Sequence, residues 1–204
     1  MNRQNIQCCT AFDGSRCIAS GELVKVIKEV KVSIDNGEAL SVLIFDDVSS
    51  ELIEVDFRGS IEDVLLNLEN TKEIVDSATR INNEINAPRG PGRPKLGVIP
   101  REVTLLPRHW EWLNSQPGGA SVALRKLVEE ARRINCDSDQ LRTLQGAVYR
   151  FMSAMAGDLP GFEEASRALF AGNPEKFNEI VALWPVNIRE HVQKLSLNAF
   201  REEA

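Results

Sequence analysis

Apolar positions change their spacing repeatedly along this chain, and the changes mark where one kind of element gives way to another. Thr10-Ala11-Phe12 and Arg16-Cys17-Ile18 flank Asp13-Gly14-Ser15, the signature of a tight β-hairpin. Ser20 is placed to cap a helix whose apolar positions Leu23, Ile27, Val30 and Ile34 recur at helical spacing, and Asn36-Gly37 stops it. The β-branched Val24, Val26 and Val32 weigh against helix in that stretch. Leu40 to Phe45 predicts a central strand and Asp46-Asp47 a turn, with a further strand through Leu52, Ile53, Val55 and Phe57. Ser60-Ile61-Glu62-Asp63 has the form of an N-cap with an acidic first turn, leading a helix with Val64, Leu65 and Leu68.

Between residues 69 and 91 the periodicity thins to Ile74, Ala78, Ile81 and Ile85, and Pro88, Gly90 and Pro91 then interrupt regular structure. A short β-prone segment follows, Arg101 to Leu106. Pro107 stops it and opens a compact helix carrying Trp110 and Leu113 that ends by Gln116. Pro117-Gly118-Gly119 makes a turn, and a second helix runs from Ala120-Ser121 to about Arg133, with a break expected over 135–139, where Asp137 or Ser138 can cap the next helix. From there apolar residues fall at helical spacing: Leu141, Leu144, Val148, Phe151, Met152 and Met155, then Phe162, Ala165, Leu169 and Phe170. Phe177, Ile180, Val181 and Trp184 form the next set, and Ile188, Val192, Leu195 and Leu197 the last. Gly157, Pro160, Gly172, Pro174 and Pro185 punctuate these sets into four helices.

The expected fold class is α+β. A small antiparallel sheet with helices occupies residues 1–68, a linker 69–100, a strand-helix-helix module 101–134, and a helical bundle 139–204.

With 204 residues and 43% apolar content, the chain can fill one large core or two small ones. No apolar run approaches the roughly 20 residues of a membrane span, and no apolar signal core follows Met1-Asn2-Arg3, so a cytoplasmic location is expected. Cys8, Cys9, Cys17 and Cys136 lack metal-ligand spacing, and His109 and His191 complete no ligand set. They are expected to be reduced thiols, with no metal and no cofactor. Asp46-Asp47, the tight acidic pair, sits at a strand end as turn chemistry, and neither histidine has a nucleophile near it in sequence, so no enzyme is expected.

Charge is unevenly placed. From Pro88 to Arg133 nine Lys/Arg stand against four Glu, a balance of +5 in a chain of net −6, which leaves −11 for the remainder. A basic segment within an acidic chain is a dedicated anion-facing element rather than general stickiness.

Two resemblances fall within that segment. Gly92-Arg93-Pro94-Lys95 resembles the core of an AT-hook, although Pro91 stands where the hook's first arginine would precede glycine. In such a motif glycine admits the backbone, proline keeps it extended, and arginine enters the negative minor groove of A·T-rich duplex. Arg101 to Arg133 resembles the ribbon-helix-helix superfamily over about thirty residues. That resemblance implies a homodimer whose paired strands enter the major groove, and a second helix whose start, Ala120-Ser121, gives backbone N–H groups to a phosphate. Val122, Leu124, Leu127 and Val128 would build the intertwined core with Trp110 and Leu113. The DNA-facing residues implied are Arg93, Lys95, Arg101, Val103, Leu105, Arg108, Ala120, Ser121 and Arg125. Neither strand register, Arg101-Val103-Leu105 or Glu102-Thr104-Leu106, gives the usual polar triplet, which favours backbone and shape recognition over base readout.

Over nearly its whole length the chain resembles the bacterial family DUF2239. Lys95 to Arg133 and the stretch from Tyr149-Arg150-Phe151-Met152 to Gly161-Phe162-Glu163-Glu164-Ala165 carry that resemblance, which implies architecture and no activity. The function expected from the residues is a dimeric DNA-binding regulator, with sensing or partner-binding left to the acidic flanking domains. The alternative is an interaction or dimerisation scaffold that does not bind DNA.

Overall fold

A computed structural model describes residues 7–68 and 101–200. The chain divides into two compact units, Met1–Leu65 with Asp137–Ala204, and Leu66–Cys136.

The first unit is built on a three-stranded antiparallel sheet. Strands β1 (Cys8–Asp13) and β2 (Arg16–Glu22) form the expected hairpin, with Gly14 supplying the left-handed backbone of the turn at φ 55°. Strand β3 (Val42–Asp46) pairs on the other side of β1, so the order is β2-β1-β3. The central strand is therefore β1, whose Cys9, Thr10, Ala11 and Phe12 are buried in succession. Leu40 to Phe45 was expected in that position; β3 is instead an edge, and Leu40, outside it, is 93% exposed.

Helix α1 (Leu23–Asp35) buries Leu23, Val26, Ile27 and Val30, the helical spacing outweighing its β-branched content. Ser20 does not cap it. Ser20 stays in β2 with its hydroxyl 3.0 Å from that of Thr10, and the Leu23 N–H at the helix start is met by the Gln7 carbonyl. Gly37, at φ 72°, ends the helix by donating to the Ile34 carbonyl.

The strand expected over 52–57 does not form. Phe45 and Leu52 make an isolated bridge and Ile53 donates to the Ile44 carbonyl, but the ladder stops there. Burial still alternates, with Ile53, Val55 and Phe57 half-buried between exposed neighbours, so the period-two pattern survives without a ladder. Ser60 and Asp63 form the expected cap of helix α2 (61–68 of the described residues): the hydroxyl lies 2.8 Å from the carboxylate, and the backbone N–H of each meets the side chain of the other.

Helix α3 (Pro107–Ser115) belongs to the second unit, and helix α4 (Gly119–Met155) starts there. The break expected over 135–139 is absent, and α4 is continuous for 37 residues. The would-be breakers are used inside the helix: Asn135 donates to the Ala131 carbonyl, and Asp139 pairs with Arg142 at 3.2 Å.

Helices α5 (Phe162–Phe170), α6 (Pro174–Val181) and α7 (Val186–Ser196) follow at the expected punctuation. Asn173 caps α6 by accepting from the Lys176 N–H, with Pro174 in the first turn. Trp184 donates its indole N–H to the Pro160 carbonyl, tying the end of α6 to the start of α5. Phe12 and Phe45 from the sheet share one core with Val148, Phe151, Met152, Leu169, Phe177, Ile188 and Val192.

His191 of α7 lies inside that core, 6% exposed, its ring centroid 5.4 Å from Phe12 and 4.4 Å from Phe151, and its Nε2 has no hydrogen-bond partner. Burial is the main cause that holds its pKa down, from 6.5 to about 4, with Asp47 opposing and Lys194 reinforcing the shift. A depressed imidazole protonates first in the unfolded chain, so the stability it supports is complete above pH 6.5 and is lost as pH falls toward 4. The shift corresponds to roughly 3 kcal/mol across that window. Denaturant midpoints measured from pH 7 to pH 4 should fall accordingly, and His191→Phe should flatten that part of the profile; an unchanged slope in the variant would reassign the effect to other groups.

Candidate functional site

Among its described residues the basic unit contains the extended segment 101–106, helix α3 and the start of helix α4. Residues 101–106 are irregular, which corrects the strand expected there; a ladder needs a partner, and among the described residues no strand pairs with this segment. Leu106 lies at the N-cap of α3 and Pro107 in its first turn, where the missing N–H costs nothing. Between α3 and α4, Gly118 and Gly119 both adopt left-handed backbone, φ 89° and 73°. A Cβ on Gly118 would sit 3.1 Å from the Val122 side chain, so glycine is required both for conformation and for space.

Few of the described residues of this unit are buried. Leu113 and Ala123 are covered, while Val103, Leu106, Trp112, Leu127 and Val128 are 43–54% exposed. A concavity of about 190 Å³ remains between the helices, lined by Trp112, Gln116, Pro117, Ala123, Lys126 and Leu127.

Arg93 and Lys95 lie outside the described residues. Arg101 and Val103 are exposed on the extended segment, and Leu105 is half-buried. Arg108 is exposed on α3, its Nε 3.5 Å from His109 Nε2. Ala120 and Ser121 occupy the first turn of α4, and Arg125 folds back onto Ser121, its Nε 3.0 Å from the carbonyl oxygen and Nη2 3.3 Å from the hydroxyl. The structure thus brings Ser121 and Arg125 together at a helix start, where unpaired N–H groups and the macrodipole favour an anion. It records no contact joining Arg101 or Arg108 to that pair.

A second polar concavity, in the first unit, has no counterpart in the sequence expectations. It measures about 230 Å³ and is lined by Thr10, Cys17, Ser20, Asn187, Glu190, His191 and Lys194 with Phe12. Asp47 organises its margin, accepting from the Thr10 hydroxyl at 2.6 Å and from Lys194 Nζ at 2.7 Å. Asn187 accepts from the Cys17 backbone N–H. Burial, then Asp47, pushes the Cys17 thiol up, while burial pushes His191 down, so neither is charged at neutral pH. That is the reverse of an activated thiolate–imidazolium pair. Asp46 does the turn chemistry expected of it, accepting from the Val48 and Ser49 N–H groups. Among the described residues no group of three His, Cys, Asp or Glu side chains is placed to hold a metal ion, and no helix is long and apolar enough to cross a membrane.

The comparison that matches is to a family described as an uncharacterized protein conserved in bacteria, DUF2239, over residues 8–196. The chain belongs to the DUF2239 family. No curated protein and no solved structure matches it. The DUF2239 match spans the described parts of both units, so the sheet, the basic helices and the C-terminal helices belong to one family architecture.

Gly118→Ala should destabilise the second unit by roughly 1–2 kcal/mol, the cost of a left-handed backbone with a Cβ. Chemical denaturation of the full chain, followed by tryptophan fluorescence from Trp110 and Trp112, is the measurement. An unshifted transition would mean that the turn is not held in this conformation.

Proposed function

We propose that this chain is a DNA-binding protein acting as a homodimer, a transcriptional regulator of ribbon-helix-helix type that works on duplex in the cytoplasm. The observation that carries the reading is the incomplete core of the second unit. Among the described residues, an extended segment without a ladder partner precedes two helices that cover Leu113 and Ala123 and leave Leu106, Trp112, Leu127 and Val128 exposed. Such a module is completed by a second copy, with the 101–106 segments paired across a two-fold axis. Arg101, Arg108 and Arg125 are exposed on it, and Ser121 stands at a helix start suited to a phosphate. The Arg93–Lys95 leader supplies a minor-groove contact to A·T-rich duplex. The small polar concavity of the first unit is where this reading places any effector.

Each phosphate neutralised releases counterion, so a dimer using Arg101, Arg108 and the Ser121 helix start on both sides should show a log-affinity slope of roughly −5 against log salt. Ser121→Asp puts a carboxylate where the phosphate sits, which should weaken duplex binding by like-charge repulsion. The same carboxylate favours the helix start and meets Arg125, so thermal stability should be equal or higher. Fluorescence anisotropy and thermal melts on one preparation read the two signs. Absence of duplex binding by wild type at low salt, across a random-sequence selection, leaves the dimerisation scaffold in its place.

Arg93→Ala should lower the preference for A·T-rich over G·C-rich duplex more than it lowers affinity overall. Equal losses on the two duplexes would make Arg93 a general cation.

A further inference from the structure

Leu124, Leu127, Ala131, Ile134, Ser138 and Leu141 alternate by three and four residues along α4. That is the spacing of a seam followed by two helices winding around each other. The same alternation continues through Gln145, Val148 and Met152, which are buried. Between Leu124 and Ser138 the seam is open: Leu127 is 43% and Ile134 68% exposed, and every residue from Arg125 to Asp137 is exposed. This stretch contains Val128, Asn135, Cys136 and Asp137, all modest helix formers, and a solvated helix of that length is marginal in water. A helix with such an open seam is stabilised by an apolar cover.

We propose that the cover is a second copy of this chain, with the two α4 helices running parallel and in register along Leu127, Ala131 and Ile134. This rests on the dimeric reading above and specifies its geometry. Charge selects both the occupant and the direction. In a parallel pair, a residue flanking the seam faces the residue five positions further along the second copy. Glu130 then meets Asn135, and Asp137 meets Arg142, an acceptor against an amide and a carboxylate against a guanidinium. In an antiparallel pair the flanking Glu130 and Asp137 face each other, like against like. Arg142 is free to turn to the second copy, because its contact with Asp139 is solvent-exposed and weakly held. Ala131 and Ser138 are small enough for the helices to approach closely.

Parallel pairing also has a consequence for the anion-facing end. Arg125, Lys126, Arg132 and Arg133 lie off the seam, on the outer faces of the pair. Both Ser121 helix starts come to the same end, where one duplex can meet them together.

The test uses the full chain with the exposed Cys8 and Cys136 replaced by serine. Leu127→Cys and Ile134→Cys, both at exposed positions, are prepared with different tags, mixed, and oxidised mildly. Parallel, in-register helices give bridges between like positions, 127 to 127 and 134 to 134. Arg133→Cys should bridge about tenfold more slowly, because its Cβ points away from the seam. Bridges between 127 and 134, no bridge at either position, or a single-chain mass by light scattering at micromolar concentration overturns the proposal. Gel shift on the unoxidised protein separates the two readings. Like-position bridges without duplex binding uphold the parallel pair and remove the regulator; duplex binding without bridges removes the parallel pair alone.

Discussion

Three phenylalanines and a histidine drawn from four elements hold the first unit together. Phe12 of β1, Phe45 of β3, Phe151 of α4 and His191 of α7 meet with ring centroids 4.4–6.3 Å apart. Each buried phenylalanine contributes on the order of 1.5–3 kcal/mol, and edge-to-face pairing adds to that. The sheet cannot bury Phe12 and Phe45 without the C-terminal helices, and those helices cannot bury Phe151 without the sheet. The Ser49 carbonyl and the Arg150 guanidinium, 101 positions apart, meet beside this cluster. Closing so long a loop is tolerable because its entropy grows only logarithmically, by about 0.6 kcal/mol per doubling. A large insertion between the two halves is therefore compatible with a single core.

The polar margin of that core acts differently. Asp47 joins the Thr10 hydroxyl to Lys194, and its side chain is only 12% exposed. A hydrogen bond to a charged group is worth roughly 1.5–3 kcal/mol when both partners are present, and removing one strands the other. His191 sits beside this arrangement without a partner on Nε2, a cost that its packing against Phe12 and Phe151 must offset. The aromatic cluster supplies the attraction between sheet and helix, and Asp47 fixes which residue of α7 faces which residue of β1.

Local signals were legible where they are local in cause. Asp13-Gly14-Ser15, Asn36-Gly37, Ser60 with Asp63, and the Pro/Gly punctuation of α5 to α7 each act within a few residues, and each element they bound is present. The expectations that moved depended on distant partners. Ser20 had a better partner in Thr10 across the hairpin than in a helix start. The run to Phe45 looked central because it is apolar, but β1 lies between two neighbours and has both faces covered. Asp137 and Ser138 looked like caps, yet α4 carries straight through them. The polar concavity could not be read at all, since Thr10 and Lys194 stand near opposite ends of the chain and no spacing rule relates them. The basic segment was legible as charge; its extended lead, 101–106, has a strand's composition without a strand partner among the described residues.

That missing partner gives the proposed function its thermodynamic shape. Among its described residues that unit covers Leu113 and Ala123, and a small module gains little from folding alone because it buries too small a fraction of its surface. On the dimeric reading, its order depends on protomer concentration, and any ligand that binds only the paired form adds to stability by mass action. A duplex that accepts both Ser121 helix starts is such a ligand, and it also holds two copies close enough for pairing to become effectively intramolecular. The first unit is not subject to this dependence, since its aromatic cluster is complete within one chain. Folding of the sheet core would then be independent of partner and duplex, while the basic helices would gain stability from both.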